Sequence, residues 1–161
     1  MLEEHILDAA IHDRASFICG VEALDEYLQR FAVQQSKRGL TAVYVLVDSG
    51  APGTILGYYT LSAAHLDVEQ PDERSRMKLP RYPVPCFRMG RLAASTEHQG
   101  RGIGRALIGC AVDRCLEARK QVASFALLVD AKDTRAKAFY LHYGFVALRD
   151  SPLTLFLPLG A

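Results

Sequence analysis

The order of elements in this sequence predicts a mixed α/β fold, an α+β type of mixed sheet with helices on both faces. Segments rich in β-branched residues alternate with amphipathic helical segments in the order β-α-β-β-β-α-β-α-β-β. The chain has 161 residues, of which 50% are hydrophobic and 23% charged, an ordinary composition for a globular protein with a sizeable core. We therefore expect one domain over residues 1–161. The composition excludes three classes of protein: a disordered tail protein, a coiled coil and a collagen.

The first half of the chain predicts a helix, a hairpin and a long loop. After an extended start at residues 5–8, apolar residues recur at helical spacing from Val21 to Gln35. Two strand-like runs, 41–48 and 55–66, flank a turn that contains glycine and proline, which is typical of a β-hairpin. The polar stretch 67–85 has no periodicity, and a loop of this length is more often functional than a plain connection.

The second half predicts a strand, a glycine-rich turn and a helix in succession, and then a further strand covered on both faces. The predicted elements are a strand at 86–94, a turn at 95–102, a helix at 103–118, a strand at 124–129, a helix at 134–143 that ends before Gly144, and strands at 145–148 and 154–157.

Cysteine and hydropathy patterns exclude several classes of protein. The four cysteines form neither a CxxC pair nor a cluster with histidine at zinc-ligand spacing, so we expect reduced thiols and no metal. No stretch approaches 18 apolar residues, and the N-terminus carries acids where a signal peptide needs a basic and then an apolar run. We expect a cytoplasmic protein with no membrane contact.

Positive charge is concentrated in one window, residues 74–91. The window holds six bases and no acid, and because the whole chain carries +1, the remainder carries −5. Two interpretations fit this pattern: a solvated basic loop, or a surface that receives a polyanion such as nucleic acid or a phosphorylated ligand. The six bases are Arg74, Arg76, Lys78, Arg81, Arg88 and Arg91.

The turn before the 103–118 helix predicts a phosphate site. Three glycines precede or open the helix, so main-chain N–H groups can converge on an anion at the end where the helix dipole is positive. The spacing matches neither the G-x-G-x-x-G of dinucleotide folds nor the G-K-[ST] of a P-loop.

Residues 99–104 read Q-x-x-G-x-G, and here the sequence resembles the GNAT superfamily of acyl-CoA-dependent N-acetyltransferases. Further agreement comes from Gly90-Arg91-Leu92-Ala93, from the strand 125–129 and from residues 139–145, which look like the F-Y-x-x-x-G-F segment of that superfamily. The resemblance implies a GNAT-like fold, with a central sheet splayed between strands 4 and 5, and acetyl-CoA as co-substrate.

The resemblance also implies roles for individual residues. Tyr140 would protonate the departing thiolate as a general acid, and the main chain of Leu92, Ala93 and Ala94 would pair with the pantetheine arm. Arg101 or Arg105 is a candidate for the 3′-phosphate. The pyrophosphate would be bound by the main chain of Gln99, Gly100, Arg101, Gly102, Ile103, Gly104 and Arg105.

The matching segments contain no obvious carboxylate base. His65 and His98 are candidates, although a surface role fits each as well. An α-amino group, with an ordinary pKa near 7.7 to 8.0, is partly deprotonated at neutral pH, whereas a lysine side chain near 10.4 is not. This difference gives weak support for an α-amine acceptor.

Residues 14–28 resemble a narrower group. Phe17 to Leu28 match the F-x-C-G-x-x-x-L-D-x-[YW]-L opening of the GNAT toxins of bacterial type II toxin-antitoxin pairs. The resemblance implies acetylation of aminoacyl-tRNA, which blocks translation, together with a homodimer, a ribbon-helix-helix antitoxin and operator DNA bound only through that antitoxin. The expected tRNA contacts are Lys78, Arg81, Arg88 and Arg91.

Two other functions remain open from the sequence. A GNAT enzyme that acetylates a protein or a small-molecule amine would share the coenzyme site and differ only in its acceptor. A degenerate, non-catalytic acyl-CoA-binding module is the other, and the intact glycine turn and Tyr140 speak against it.

Overall fold

A computed structural model describes residues 1–160 and contains one seven-stranded sheet with the strand order β1-β2-β3-β4-β5-β7-β6. The sheet is mixed and has helices around it, which confirms the predicted fold class. The strands are β1 (Leu2–Ile6), β2 (Ala42–Asp48), β3 (Gly57–Leu66), β4 (Val84–Ala94), β5 (Ala126–Asp130), β6 (Val146–Ala147) and β7 (Thr154–Pro158).

Helices lie where the apolar periodicity predicts them, with one addition and one interruption. The predicted helix at 103–118 is confirmed at both ends. The first predicted helix is divided by a π-helical turn, Tyr27–Phe31, between two α-helical pieces. The helices are α1 (Glu22–Glu26), α2 (Ala32–Lys37), α3 (Pro71–Met77), α4 (Ile103–Ala118) and α5 (Thr134–His142), and a 3₁₀ turn covers Thr96–His98.

Helix α3 corrects the prediction of a loop without secondary structure over 67–85. The helix begins with proline in its first turn, followed by Asp72 and Glu73, the residue types that suit the positive end of a helix. Among its seven residues only Glu73 is buried, so no apolar stripe marks the helix in the sequence. Lys78 ends the helix in the left-handed conformation, with φ +56°.

Strand pairing is antiparallel at both ends of the sheet and parallel in the middle. Strand β2 pairs with β1 and with β3 in antiparallel register, and β7 does so with β5 and β6. Strands β4 and β5 are parallel, with Phe87 opposite Leu127 and Met89 opposite Val129. The pairing ends at Met89, and β4 continues beyond it to Ala94.

Contacts divide the chain into two compact units, each with a core of its own. Unit 1 comprises Met1–Ser62 and Gly90–Asp113, and unit 2 comprises Ala63–Met89 and Arg114–Ala161. The core of unit 1 includes Phe17, Tyr27, Leu28, Ala32, Val43, Val45, Val47, Ile55, Tyr58 and Ala93. The core of unit 2 includes Leu66, Val68, Val84, Cys86, Ala126, Leu128, Leu148 and Phe156. A single domain over 1–161 stays a prediction.

The absence of a side chain at Gly57 sets the packing of helix α4 in unit 1. A Cβ at Gly57 would lie 2.8 Å from Ile103 Cγ2, 2.8 Å from Leu107 Cδ1 and 2.9 Å from the Ala93 carbonyl oxygen. Real Cβ atoms are not found at such distances, so β3 and α4 approach this closely only because residue 57 is glycine. The first turn of α4 is thereby fixed against the sheet.

Three further features bear on the class of protein: the cysteines, groups that could bind a metal, and helices that could span a membrane. None of the four cysteines is in a disulfide, and burial raises the pKa of the Cys19 thiol to about 11 and that of Cys115 to about 12. Within residues 1–160, no group of three or more His, Cys, Asp or Glu is placed to hold a metal. Over the same residues, no helix is both long and apolar enough to cross a bilayer.

Candidate active site and acceptor surface

The glycine-rich turn before α4 has an open main chain. Gly100 and Gly102 adopt φ values of +82° and +71°, conformations that favour glycine strongly over other residues. A Cβ at either position would meet no atom within 4 Å, so these glycines serve the backbone conformation and not a close contact with the protein. The turn therefore combines exposed main chain with open space beside it, which fits an extended diphosphate.

Helix α4 places its free N–H groups at this turn. The first bond of the helix runs from the Ala106 N–H to the Gly102 carbonyl at 3.0 Å, and the N–H groups before Ala106 have no acceptor within the helix. Ile103 and Leu107 are buried and anchor the first turn of the helix. An anion at this position gains both hydrogen bonds and the favourable end of the helix dipole.

Two arginines belong to the turn and the start of α4, and only one of them, Arg101, has a carboxylate partner in the described chain. The Arg101 guanidinium lies 3.5 Å from the Asp48 carboxylate. Asp48 also accepts from the Gly50 N–H, and that bond, together with nearby positive charge, lowers the pKa of its carboxyl. Arg105 is exposed and has no carboxylate partner within the described residues, so its charge is available to a ligand.

The end of β4 has one bound edge and one available edge. The Ala93 carbonyl faces Gly57 of β3, and the Ser95 N–H donates to the Leu56 carbonyl at 2.8 Å. Main-chain groups alternate in direction along a strand, so those of Leu92 and Ala94 point away from β3. Of the three residues that the sequence predicts for pantetheine pairing, two therefore have the right orientation.

Tyr140 lies on α5 in unit 2 with its ring among other aromatic rings. The ring meets Phe139 edge-on at 5.3 Å and Phe145 at 5.4 Å between centroids. Burial raises the pKa of the Tyr140 hydroxyl to about 12. The hydroxyl has no hydrogen-bond partner among residues 1–160 and yet is not fully buried, so it can reach a ligand.

These properties of Tyr140 suit a proton donor. The hydroxyl is protonated at neutral pH, as that of an ordinary tyrosine is, and the absence of a competing partner leaves the proton available. The two candidate bases are occupied differently: His65 Nε2 lies 3.2 Å from Asp67, and His98 Nδ1 lies 3.1 Å from the Ser95 hydroxyl. Neither contact assigns a base.

Four cations of the basic window have no acidic partner in the described chain: Arg74, Lys78, Arg81 and Arg91, the last of which is described below. Lys78 and Arg81 are exposed and Arg74 is half-buried, and none of the three forms an ion pair within residues 1–160. Lys78 occupies the left-handed position that closes α3. Its side chain therefore extends from the C-terminal end of a helix and not from an irregular loop.

Other bases of the window have partners that the sequence analysis missed. Arg76 pairs with Glu73 at 2.7 Å, and Arg88 pairs with Asp130, which also accepts from the Thr154 hydroxyl. Asp130 lies 42 residues from Arg88 in the sequence, so no local pattern indicates the pair. The window that looks uniformly basic in the sequence is partly neutralised.

Arg91 has an aromatic partner. Its guanidinium carbon lies 3.5 Å from the centroid of the Tyr27 ring, a cation–π contact that nothing in the sequence indicates. Leu92, Ala94, the glycine-rich turn and Arg91 belong to unit 1, whereas Tyr140, Lys78, Arg81 and Arg88 belong to unit 2.

Comparison with known families agrees with these features. Residues 39–147 match the acetyltransferase (GNAT) domain family, which covers well over half of the chain. The chain therefore belongs to the GNAT acetyltransferases and is an acetyl-CoA-dependent N-acetyltransferase, as the sequence analysis predicts.

Individual relatives narrow the comparison. The tRNA-acetylating toxin of Mycobacterium tuberculosis (strain ATCC 25618 / H37Rv) is 33% identical over 145 residues, which is 90% of this chain and 85% of that protein. AtaT complexed with acetyl-methionyl-tRNAfMet superposes with a TM-score of 0.87 at 30% identity, covering 98% of this chain and 95% of that one. A tyrosine-to-phenylalanine mutant of AtaT was solved with the C-terminus of the antitoxin AtaR and acetyl-CoA. It superposes with a TM-score of 0.84 at 29% identity, covering 98% of this chain and 93% of that one.

Proposed function

We propose that this enzyme transfers the acetyl group of acetyl-CoA to the α-amino group of an aminoacyl-tRNA and so blocks translation. The observation that carries the proposal is the similarity over nearly the whole chain to AtaT, whose solved complex contains acetyl-methionyl-tRNAfMet. The exposed and unpaired charges of Lys78 and Arg81 support it, because a tRNA substrate requires positive potential.

The coenzyme is held mainly by main-chain groups in this proposal. The residues from Gln99 to Arg105 donate N–H groups to the pyrophosphate, and Leu92 and Ala94 pair with the pantetheine arm through the free edge of β4. Arg105 serves the 3′-phosphate better than Arg101 does, since Arg101 is already paired with Asp48. Acetyl-CoA supplies the thioester whose carbonyl carbon the acceptor attacks.

The chemical step requires one proton donor from the chain. The neutral α-amine attacks the thioester carbonyl, the new C–N bond forms, and the C–S bond breaks. Tyr140 donates its hydroxyl proton to the departing thiolate, and the acceptor nitrogen loses a proton to water. General acid catalysis of this kind is worth roughly 10² to 10⁴ in rate.

The proposal extends to partners. A toxin of this kind needs an antitoxin, and we propose one of the ribbon-helix-helix type that also carries the protein to operator DNA. A homodimer is part of the same proposal. Co-expression with the candidate antitoxin should relieve growth arrest, and light scattering of the purified protein measures its oligomeric state.

Mass spectrometry tests the acceptor directly. The purified enzyme is incubated with acetyl-CoA and total aminoacyl-tRNA, the RNA is digested, and acetylated aminoacyl-adenosine is measured. The proposal expects this product from the wild type and very little from Tyr140→Phe. Turnover of a lysine peptide or a small amine, with no acetylated aminoacyl-adenosine, would favour a protein or small-molecule acceptor instead.

A further inference from the structure

A three-layer stack of planar groups lies in unit 1 and ends in Arg91. The Tyr58 and Tyr27 rings are stacked, with centroids 6.4 Å apart and planes inclined by 18°. The Arg91 guanidinium carbon then lies 3.5 Å above the Tyr27 centroid. A parallel arrangement of the guanidinium and the ring is favoured at this distance, because it keeps all three nitrogens at van der Waals distance from the ring atoms.

The lower layers of the stack are held firmly. Tyr27 is only 5% exposed, and its hydroxyl donates to Gln35 Oε1 at 2.8 Å. The Tyr58 hydroxyl donates to the Leu24 carbonyl at 2.7 Å. Both rings are thus fixed by their faces and by their hydroxyl groups, so the Tyr27 ring offers Arg91 a rigid surface.

Arg91 has no carboxylate beside it in the described chain, unlike three of the arginines described above. Arg76, Arg88 and Arg101 each pair with a carboxylate. Arg91 has no ion pair within residues 1–160, and it is half-buried, so part of it meets solvent. A cation that is partly desolvated on an aromatic ring, and has no acid beside it, can accept a second planar partner.

We propose that Arg91, held flat by Tyr27, is a stacking platform for an unpaired base of the single-stranded 3′ end of tRNA. This inference rests on the proposed function. Proteins bind the unpaired bases of RNA by stacking them on aromatic rings or on arginine planes. Arginine suits the role because its charge is delocalised over a plane and is weakly hydrated.

The platform gives Arg91 a different role from the phosphate contact that the charge pattern alone suggests. A phosphate contact does not involve the base, so its weakening by lysine is the same with and without the base, whereas stacking depends on the guanidinium plane and on the base together. Tyr27 is then a positioning residue, since it acts on the RNA only through Arg91. The two roles predict different results for the same substitution.

The first experiment measures the binding of deacylated tRNA to the purified enzyme. One RNA has an intact 3′ end, and the other has abasic sites in place of the two cytidines before the terminal adenosine. Arg91→Lys should bind the intact RNA about tenfold more weakly than the wild type does. On the abasic RNA, Arg91→Lys and the wild type should bind alike, and the control Arg30→Lys should match the wild type on both.

Two variants of Tyr27 test the positioning role. Tyr27→Phe keeps the ring under Arg91 and should retain the preference for the intact RNA. Tyr27→Leu removes the ring and should lose the preference as Arg91→Lys does. A Tyr27→Leu variant that retains the full preference would overturn the positioning role, and if this variant does not fold, the comparison of Arg91→Lys on the two RNAs still decides the platform.

The outcomes separate the platform from the proposed function. An equal loss for Arg91→Lys on intact and abasic RNA shows a phosphate contact and overturns the platform. Acetylation of aminoacyl-tRNA by a wild type with no preference for the intact end overturns the platform alone. A clear preference for the intact end in an enzyme that acetylates no aminoacyl-tRNA supports the platform and contradicts the proposed function.

Discussion

The glycine-rich turn and the basic window are built by different means. The turn at residues 99–105 depends on main-chain conformation, on Gly100 and Gly102 and on the buried first turn of α4. The basic window depends on long side chains, and carboxylates outside the window, one near in sequence and one distant, decide which of those charges are available. One region is fixed by its own local sequence, and the other is fixed by partners elsewhere in the chain.

This difference separates the chemistry of the enzyme from its choice of acceptor. A turn that binds through main-chain groups, as we propose for residues 99–105, would accept any acyl-CoA with the same diphosphate, so it says little about what is acetylated. The acceptor is selected by side chains, and side chains can be exchanged without loss of that turn. The predictions below test whether the two regions are as independent as their construction indicates.

The largest effect is expected for Tyr140, the proposed proton donor. Tyr140→Phe preserves the ring that packs on Phe139 and Phe145 and removes only the hydroxyl. Turnover should fall by roughly 10² to 10⁴ while coenzyme affinity and the melting temperature stay near the parent values. Steady-state kinetics with aminoacyl-tRNA and with a small α-amine measure the loss.

The matched control is Tyr143→Phe, at the end of the same helix. Tyr143 packs on Phe139 in a similar way and has no assigned part in the chemistry. Its variant should keep the parent rate. A Tyr140→Phe enzyme within threefold of the parent would assign Tyr140 to packing.

The second prediction concerns the glycine-rich turn at residues 99–105, which we propose binds the pyrophosphate. Gly104 lies in the first turn of α4 and does not have a positive φ, so Gly104→Trp does not require a left-handed backbone. We expect the bulky ring beside the turn to block the close approach of the pyrophosphate. Acetyl-CoA at 100 times its Kd stabilises the parent by about 2.7 kcal/mol, and this stabilisation should disappear. Thermal unfolding with and without ligand measures it.

Gly109→Trp is the control for this substitution. Gly109 lies on the same helix, is exposed, and has no atom within 4 Å of its Cβ position. Its variant should keep the full ligand stabilisation. A folded Gly104→Trp enzyme with unchanged ligand affinity would move the pyrophosphate away from this turn.

Local signals explain how much of these regions the sequence predicts. The helix Ile103–Ala118 is predicted to the residue because its apolar face repeats regularly and a glycine-rich turn precedes it. Helix α3 escapes prediction because its one buried residue is a carboxylate, Glu73, which accepts from Arg76 and from the Arg149 N–H. No periodicity rule detects a helix that is anchored by charge.

Long-range partners explain what the sequence does not predict at the site. The sequence offers Arg88 and Arg91 as equivalent cations, yet one is paired with Asp130 and the other lies on Tyr27. Each partner is distant in the chain and becomes a neighbour only through the fold. The sequence thus shows that the window is basic, but it does not show which of the charges are available.

The third prediction uses the raised pKa of Tyr140. An ordinary tyrosine would lose its proton near pH 10, but burial raises the pKa of Tyr140 to about 12, so the acid form persists throughout the working range. The rate on a small α-amine should rise about tenfold per pH unit until the amine is deprotonated near pH 8. It should then stay level to pH 10, and a descending limb between pH 9 and 10 would show an unshifted donor.

The smallest effects are expected for substitutions in the basic window. Their influence on the salt dependence of tRNA binding shows which of its charges contact the RNA. Each tRNA phosphate neutralised by a cation contributes a slope of about −0.7 to −0.9 to the dependence of log affinity on log salt. Lys78→Ala or Arg81→Ala should each flatten the slope by about that amount.

Arg88→Ala should flatten the slope less than these two variants, because Asp130 already pairs with Arg88. Lys37→Ala, on α2, is the control and should leave the slope unchanged. Turnover of a small amine should be the same for all four variants, because none of these cations belongs to the turn that we propose for the coenzyme. Equal losses on tRNA and on the small amine would mean that these cations support the fold or the coenzyme. An Arg88→Ala slope as flat as that of Lys78→Ala would mean that the pair with Asp130 opens when tRNA binds.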